Sequence, residues 1–456
     1  MPETLQIGDR LDVAIERLSF TGKGIGRVNN FVIFIPHTIP GDVVKAEITS
    51  RKKRYADARA VDFVSRSSDS IEPRCRHFGI CGGCSFQNLP YELQLEAKQD
   101  AVQEHIRRIG KIEQPPIDKI IPSDKQLFYR NKMEFSFKPD QEDFLKLGLH
   151  YRGEWEKIFD VEECLLQSEI SNRIVNRVRD FFKAKRIPAY HLSEHHGHLR
   201  FLIIRESLAT GEVMLILVTN RGDYEYLDDF VEMVTSEFPR VTSVVHVINS
   251  KKANIAVGES EKIIRGNEHI TEYIGGNKFL IRPSSFFQTN SRQTEILYNR
   301  AAEMGELGSD EKVLDLYTGC GTIAIHIARN VGSVLGIELN PDAVVSANEN
   351  ARLNEINNCE FVAGDVRKTM DKLIDEGRKF DTIIADPPRA GIGHKSLVRI
   401  FQLQPEKLIY ISCNPATLAA DIRELRENGY RLDRTVPVDM FPHTFHIETV
   451  SRITRK

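Results

Sequence analysis

VLDLYTGCGTIAI, residues 313 to 325, is an apolar run, a turn carrying Gly319 and Gly321, and then the opening of a helical pattern. A strand that feeds a glycine turn and then a helix is the first unit of an alternating α/β domain. Glycines in that turn let the backbone approach a ligand closely. The turn has neither the G-x-x-x-x-G-K-[ST] of a phosphate loop nor the G-x-G-x-x-G of a dinucleotide site, which argues against both. Working outward, SVLGIE (333–338), CEFVAGD (359–365), DTIIADPP (381–388) and KLIYISC (407–413) repeat the strand signal with helical patterns between them. From about residue 285, therefore, a doubly wound parallel sheet is expected. Ligands of such sheets bind at the carboxyl ends of the strands. Those ends carry Glu338, placed to accept from ribose hydroxyls, then Asp365, Asp386 and Cys413. Cys320, inside the first turn, is read as structural.

D-L-x-x-G-x-G with a downstream acid and DPP resembles the S-adenosyl-L-methionine methyltransferase fold. In amino-methyltransferases an aromatic residue follows such a motif and stacks on the base. Here Arg389 follows, which weakens methylation of an exocyclic amine.

Cys413 lies in LIYISCNPATLAADI (408–422), at the same rim. A buried core cysteine is the plain alternative reading. However, Asn414 suits an N-cap and Pro415 a first helical turn, so a helix should start directly behind the sulfur. A helix N-terminus favours a thiolate. A drop of one pKa unit, about 1.4 kcal/mol, raises the thiolate fraction nearly tenfold. Methylation at carbon 5 of a pyrimidine needs such a nucleophile to add at carbon 6, and then a base to remove the carbon 5 proton. In MFPHTFHIETV, Glu448 is the candidate base, with His443 and His446 nearby.

The chain has 456 residues, enough for two to four domains, and is 41% hydrophobic and 28% charged. It shows no apolar run of membrane-spanning length, and its polar, acidic N-terminus is unlike a signal peptide, so a cytoplasmic protein is expected. A net charge of -3 gives no global basic footprint, so a nucleic-acid partner would need local patches such as RKKRYADAR (51–59). Residues 1–66 read as short strands broken by TGKGIGRV and IPGD, a small β-barrel. DRLDVAIERLSFTGKGIGRV followed by IPHTIPGDVVKAEI resembles the TRAM domain, which implies an RNA-binding module of the oligonucleotide-barrel type.

Residues 67–284 are mixed α+β. YELQLEAKQDAVQEHIRRIG (91–110) sets Leu93, Ala97, Ala101, His105 and Ile109 at helical spacing, and this helix is a candidate to pack on the catalytic domain. Seven cysteines in a cytosolic-looking chain point to metal or catalysis rather than disulfides. CRHFGICGGC gives C-x5-C-x2-C from Cys75, Cys81 and Cys84, with Cys164 as the fourth candidate. That is one residue from a plant-type ferredoxin spacing. Spacing alone leaves iron–sulfur and zinc open, His77 being a further ligand for zinc.

ISCNPATL, DPPRAG, FFQTN and FPHTFHIE, together with the barrel, resemble the RNA uracil-5-methyltransferase family over essentially the whole chain. The resemblance implies Cys413 as nucleophile and Glu448 as base. It further implies cofactor contacts from Gln288 of FFQTN, Tyr317, Glu338 and Asp386, with Asp365 as an addition. Arg130 and Lys132 of YRNK are implied near the RNA, and Arg389 is assigned with them. Family members with both barrel and cysteine cluster carry a [4Fe–4S] cluster and resemble the large-subunit ribosomal RNA enzymes more than the transfer RNA ones, which implies 23S ribosomal RNA as the substrate. Residues 285–456 are then the methyltransferase domain, the target is an unpaired or flipped-out uridine in structured RNA, and the enzyme is a monomer. The rivals are a transfer RNA enzyme, an enzyme for exocyclic amines or cytosine carbon 5, and an RNA-binding protein with a vestigial site.

Overall fold

The computed structural model describes residues 5–456. At the N-terminus β1 (Arg10–Leu18), β2 (Gly24–Val28), β3 (Phe31–Ile35), β4 (Val43–Arg51) and β5 (Tyr55–Ser65) close a barrel in the order β1-β2-β3-β5-β4. Alternation fills it: Val13 and Ile15, Ile33 and Ile35, and Val44, Ala46 and Ile48 point inward. Closure removes the free sheet edges. Lys52, Lys53 and Arg54 of the basic run are exposed where β4 turns into β5.

Residues 66–90 form no helix or strand beyond an isolated bridge between Cys81 and Tyr151. Helix α1 (Tyr91–Arg108) follows. Its buried stripe is Gln94, Lys98, Val102 and Ile106, one residue round from the apolar face that the sequence pattern suggests. Hydrogen bonds let Gln94 and Lys98 go inside. Leu93, Ala97, Ala101 and His105 instead line a cleft towards the barrel, where the His105 ring meets Phe20 with centroids 5.2 Å apart. The lower half of the stripe, Val102 and Ile106, packs with Leu418, Ala419 and Ile422 near the C-terminus.

The central sheet has seven strands in the order β12-β11-β10-β9-β6-β7-β8. These are β6 (Lys132–Asp140), β7 (Phe144–Tyr151), β8 (Glu154–Asp160), β9 (Leu199–Glu206), β10 (Val213–Thr219), β11 (Val241–Ile248) and β12 (Ser260–Gly266). Helices α2 (Glu169–Ala184) and α3 (Leu227–Glu237) cover one face. Leu202, Ile204, Leu215 and Leu217 point to those helices, while Phe201, Ile203, Met214, Ile216 and Val218 point the other way. That second face is not solvated. It packs on a hairpin, β13 (Ile270–Ile274) with β14 (Asn277–Ile281), and on the C-terminal third of the chain.

There, α4 (Ser291–Gly305) leads into β15 (Lys312–Leu316), α5 (Thr322–Ile327), β16 (Ser333–Glu338), α6 (Pro341–Leu353), β17 (Cys359–Ala363), α7 (Val366–Asp375), β18 (Thr382–Ala385), α8 (His394–Leu403), β19 (Lys407–Ser412) and α9 (Pro415–Glu427). The five strands are parallel in the order β17-β16-β15-β18-β19, the doubly wound arrangement expected. Val313, Ile384 and Ile409 face one core, and Leu314, Ile383 and Leu408 the other, as parallel strands covered on both faces require. Two antiparallel strands that the motifs do not announce, β20 (Tyr430–Val438) and β21 (Glu448–Arg455), complete the sheet, with β21 between β19 and β20. No helix among the described residues is long and apolar enough to cross a membrane.

Candidate active site

Antiparallel insertion of β21 beside β19 pairs Ser412 with Thr449. The next residue on each chain is Cys413 and Glu448, so the register brings the two together from opposite strand directions. Asn414 caps α9, its side chain accepting from the Ala416 amide at 3.1 Å, and Pro415 occupies the first turn. Cys413 is therefore held between a strand end and a helix start, half-buried.

Both residues line a cavity of about 650 Å³ at the carboxyl edge of the parallel sheet, together with Gln288, Tyr317, Glu338, Asp386, Arg130 and Arg389. Its floor is the turn after β15. Tyr317 (φ 66°), Gly319 (φ 57°) and Gly321 (φ 80°) all take left-handed backbone there. Such a conformation on a tyrosine is strained and is found where a site over-determines it. The Glu338 carboxylate accepts from the Gly319 amide at 3.0 Å and the Asn340 amide at 2.9 Å, tying the first two strand ends together. Asp365 sits apart from the lining. Its carboxylate caps α7 and pairs with Arg367.

Burial governs the acids. Asp386 is pushed up to about 7 and Asp315, beneath the turn, also to about 7. Glu448 is held well above the usual carboxylate range by burial first and by Asp386 second. One of its oxygens, Oε2, has no hydrogen-bond partner among the described residues. The Cys413 thiol is pushed up to about 11 by burial, then by the Glu448 and Asp386 charges, with Arg389 opposing. This corrects the expectation of a resting thiolate. The helix does start behind the sulfur, but desolvation outweighs its N-terminal dipole, which is worth about 0.3–1 kcal/mol at an exposed site. His446 is lowered to about 4 by burial and by Arg389, so its neutral ring accepts from Arg389 Nη2 at 2.7 Å. The Arg389 carbonyl in turn accepts from Asn414 Nδ2 at 3.1 Å. Sequence reasoning missed Phe286, 73% exposed at the cavity wall, and the lining residues Arg282 and Asn340. Phe286 opens the FFQTN motif itself, while Arg282 and Asn340 had no signal beyond proximity to FFQTN and to Glu338.

Cys75, Cys81, Cys84 and Cys164 line a second cavity, about 490 Å³, and Lys132 lines it too, paired with Glu134 at 2.6 Å. Arg130 and Thr289 belong to both cavities. Among the described residues no three His, Cys, Asp or Glu side chains are grouped so as to hold a single metal ion. Each sulfur nonetheless has N–H groups aimed at it. These come from His77 and Phe78 for Cys75, Gly83 for Cys81 at 3.3 Å, Gln87 Nε2 for Cys84 at 3.4 Å, and Leu166 and Gln167 for Cys164. Burial pushes the Cys84 thiol up to about 12 and Cys164 to about 11. The Arg152 guanidinium lies beside Cys81 and Cys84 and donates to the Cys84 carbonyl. Four thiols, amide donors to each sulfur and a facing cation are the surroundings that a cysteine-ligated iron–sulfur cluster uses. His77 Nε2 accepts from the Glu162 amide at 3.2 Å, which occupies that nitrogen.

The model of the tRNA (Uracil-5-)-methyltransferase family matches residues 90–456, and that of the TRAM domain matches residues 4–61. A Bacteroides thetaiotaomicron protein described as an RNA methyltransferase is 41% identical, covering 94% of this chain and 98% of its own length. One from Halalkalibacterium halodurans, described likewise, is 36% identical over 98% and 97%. The crystal structure of Pyrococcus abyssi tRNA (uracil-54, C5)-methyltransferase in complex with S-adenosyl-L-homocysteine superposes with a TM-score of 0.76 at 28% identity, covering 97% of this chain and all of that one.

Proposed function

The chain belongs to the tRNA (uracil-5-)-methyltransferase family and is an S-adenosylmethionine-dependent RNA uracil-5-methyltransferase, and from that premise we propose that it methylates carbon 5 of an unpaired uridine in 23S ribosomal RNA, with Cys413 as nucleophile and Glu448 as base. One observation carries the roles: the strand register sets a cysteine and a buried carboxyl side by side in the cavity that Gln288, Tyr317, Glu338 and Asp386 also line.

S-Adenosylmethionine, when bound by those four residues, supplies an electrophilic methyl group. Cys413 first gives its proton to water, and the resulting thiolate sulfur forms a bond to carbon 6 of the flipped-out uracil. The electrons of the 5,6 double bond pass to oxygen 4, so carbon 5 becomes nucleophilic and takes the methyl as its bond to the donor sulfur breaks and S-adenosyl-L-homocysteine leaves. Glu448, as carboxylate, then removes the carbon 5 proton. The double bond re-forms, the carbon–sulfur bond breaks and the thiolate leaves. Arg389 and Arg130 line the mouth and offer cations to the RNA backbone. The same reading places a [4Fe–4S] cluster on Cys75, Cys81, Cys84 and Cys164. Its role is to organise the chain, because methyl transfer needs no electron. Support for ribosomal RNA comes from the barrel and the four-cysteine cavity occurring together. The likeness to the Pyrococcus enzyme favours transfer RNA as the second reading.

The test uses 23S fragments and transfer RNA, each transcribed with 5-fluorouridine and incubated with protein and donor. Fluorine cannot leave as a proton, so the covalent adduct is trapped. A donor-dependent adduct with a 23S fragment that vanishes in Cys413→Ala supports the proposal. An adduct with transfer RNA alone moves the substrate. Methyl incorporation without any adduct refutes the thiolate route.

A further inference from the structure

Glu448 begins β21, and residues 439–447 connect it to β20. Within that connection four successive carbonyls are each held by a different outside segment. Met440 O accepts from Asn290 Nδ2 at 2.9 Å, Phe441 O from Lys98 Nζ at 3.0 Å, Pro442 O from Tyr129 Oη at 3.1 Å, and His443 O from the Ser85 and Phe86 amides at 2.8 and 3.0 Å.

Lys98 is the unusual member. Its side chain and that of Asp439 are 1% and 0% exposed, and Nζ stands 2.6 Å from Asp439 Oδ1. Asp439 also accepts from Tyr91 Oη at 2.8 Å and from the Phe441 amide at 3.3 Å. One turn earlier on α1, Gln94 Oε1 accepts from the His443 amide at 3.1 Å. Burying a charge pair is costly and seldom serves stability alone. Here the pair bonds both the first residue of the connection and a carbonyl two residues further on.

We propose that Lys98, from a helix outside the methyltransferase sheet, is a positioning residue that fixes the connection carrying Glu448 and so sets the rate of proton removal from carbon 5. The proposal rests on the reading of Glu448 as the base. Loss of Lys98 should therefore slow elimination more than addition.

Lys98→Met leaves Asp439 buried without its counter-charge. The double variant Lys98→Met/Asp439→Asn removes both charges and keeps the Tyr91 contact, so it separates folding from positioning. On 5-fluorouridine RNA, adduct formation reports addition and methyl transfer without elimination. On ordinary RNA, the covalent protein–RNA species on a denaturing gel reports slow elimination. The double variant should form the fluorouridine adduct within about threefold of the wild-type rate. It should accumulate the ordinary covalent species at least about tenfold over wild type, since a small misplacement at a site costs one to two orders of magnitude. Wild-type elimination in the double variant, or equal slowing of both steps, overturns the proposal. Absence of an adduct with the wild-type protein would fell the underlying chemistry instead, and the positioning role with it.

Discussion

A cysteine thiol pushed up to about 11 and a carboxyl held well above its usual range by burial share one cavity, so at neutral pH the Cys413 thiol keeps its proton in the RNA-free protein. The ionised fraction of Cys413 then rises about tenfold per pH unit. Peptide-level measurement of iodoacetamide labelling at Cys413 should show that slope between pH 7 and 9. A flat profile would mean that the thiol is already ionised and that the helix start prevails. Glu448 has its own signature. A carboxyl whose folded pKa lies above its unfolded value binds more protons when folded. Its contribution is thus full below the unfolded pKa, near about 4.3, and is lost as pH rises towards the folded one. Glu448→Gln should melt above wild type at pH 8, with the gap closing towards pH 4.5. The same variant should accumulate a covalent RNA complex, because addition remains and elimination does not. Equal melting at both pH values would place Glu448 in an ionised, solvated state.

Among the elements, the β15–α5 turn separates binding from folding. A Cβ on Gly319 meets nothing within 4 Å, so the space before it is open to the cavity, although its φ of 57° strains any side chain. A Cβ on Gly321 would meet the Phe361 ring at 3.0 Å and Ala347 Cβ at 3.1 Å. Gly319→Ala should weaken S-adenosylmethionine binding by about tenfold with a modest loss of stability, of order 1 kcal/mol. Gly321→Ala should lower the melting temperature more and binding less. Calorimetric titration and thermal melts together test the contrast, and equal effects would refute it. The parallel strands, the α9 cap and the barrel alternation were legible because each is a local pattern of period two or of cap chemistry. Glu448 was legible as a candidate base from the chemistry that Cys413 demands, but its place beside Cys413 was not, since the cause is a register between β19 and β21 that no short window contains. The buried face of α1 was misjudged for a related reason. Gln94 and Lys98 look solvent-facing until their distant partners at residues 439–443 are in place. Asp365, a cofactor contact implied by the resemblance, also caps α7, a second role that its strand-end position alone does not announce.

Across the whole molecule, the two large sheets share one core. Phe201, Met214 and Val245 from the central sheet and Val313, Ile384 and Ile409 from the parallel one belong to one hydrophobic cluster that also includes the β13–β14 hairpin, α4 and α5, so those parts should unfold together. The barrel has a separate core of small and β-branched side chains. Between them runs the segment 66–90, without helix or strand, a length at which loops in compact domains are uncommon unless something holds them. The four thiols supply that hold if they carry a cluster, joining Cys75, Cys81 and Cys84 to Cys164 before α2. Their influence would extend to the active site, because Ser85 and Phe86 directly follow Cys84 and bond the His443 carbonyl. Anaerobically purified protein should contain about four iron and four sulfide per chain, and stoichiometric zinc would refute the cluster. Stripping the metal should speed hydrogen exchange at the Ser85 and Phe86 amides and at residues 441–446, while the shared core keeps its protection. Unchanged exchange at 441–446 after iron loss would show that the 440–443 carbonyls are held by Asn290, Lys98 and Tyr129 without the cysteine loop, leaving the cluster to order only the path from barrel to α1.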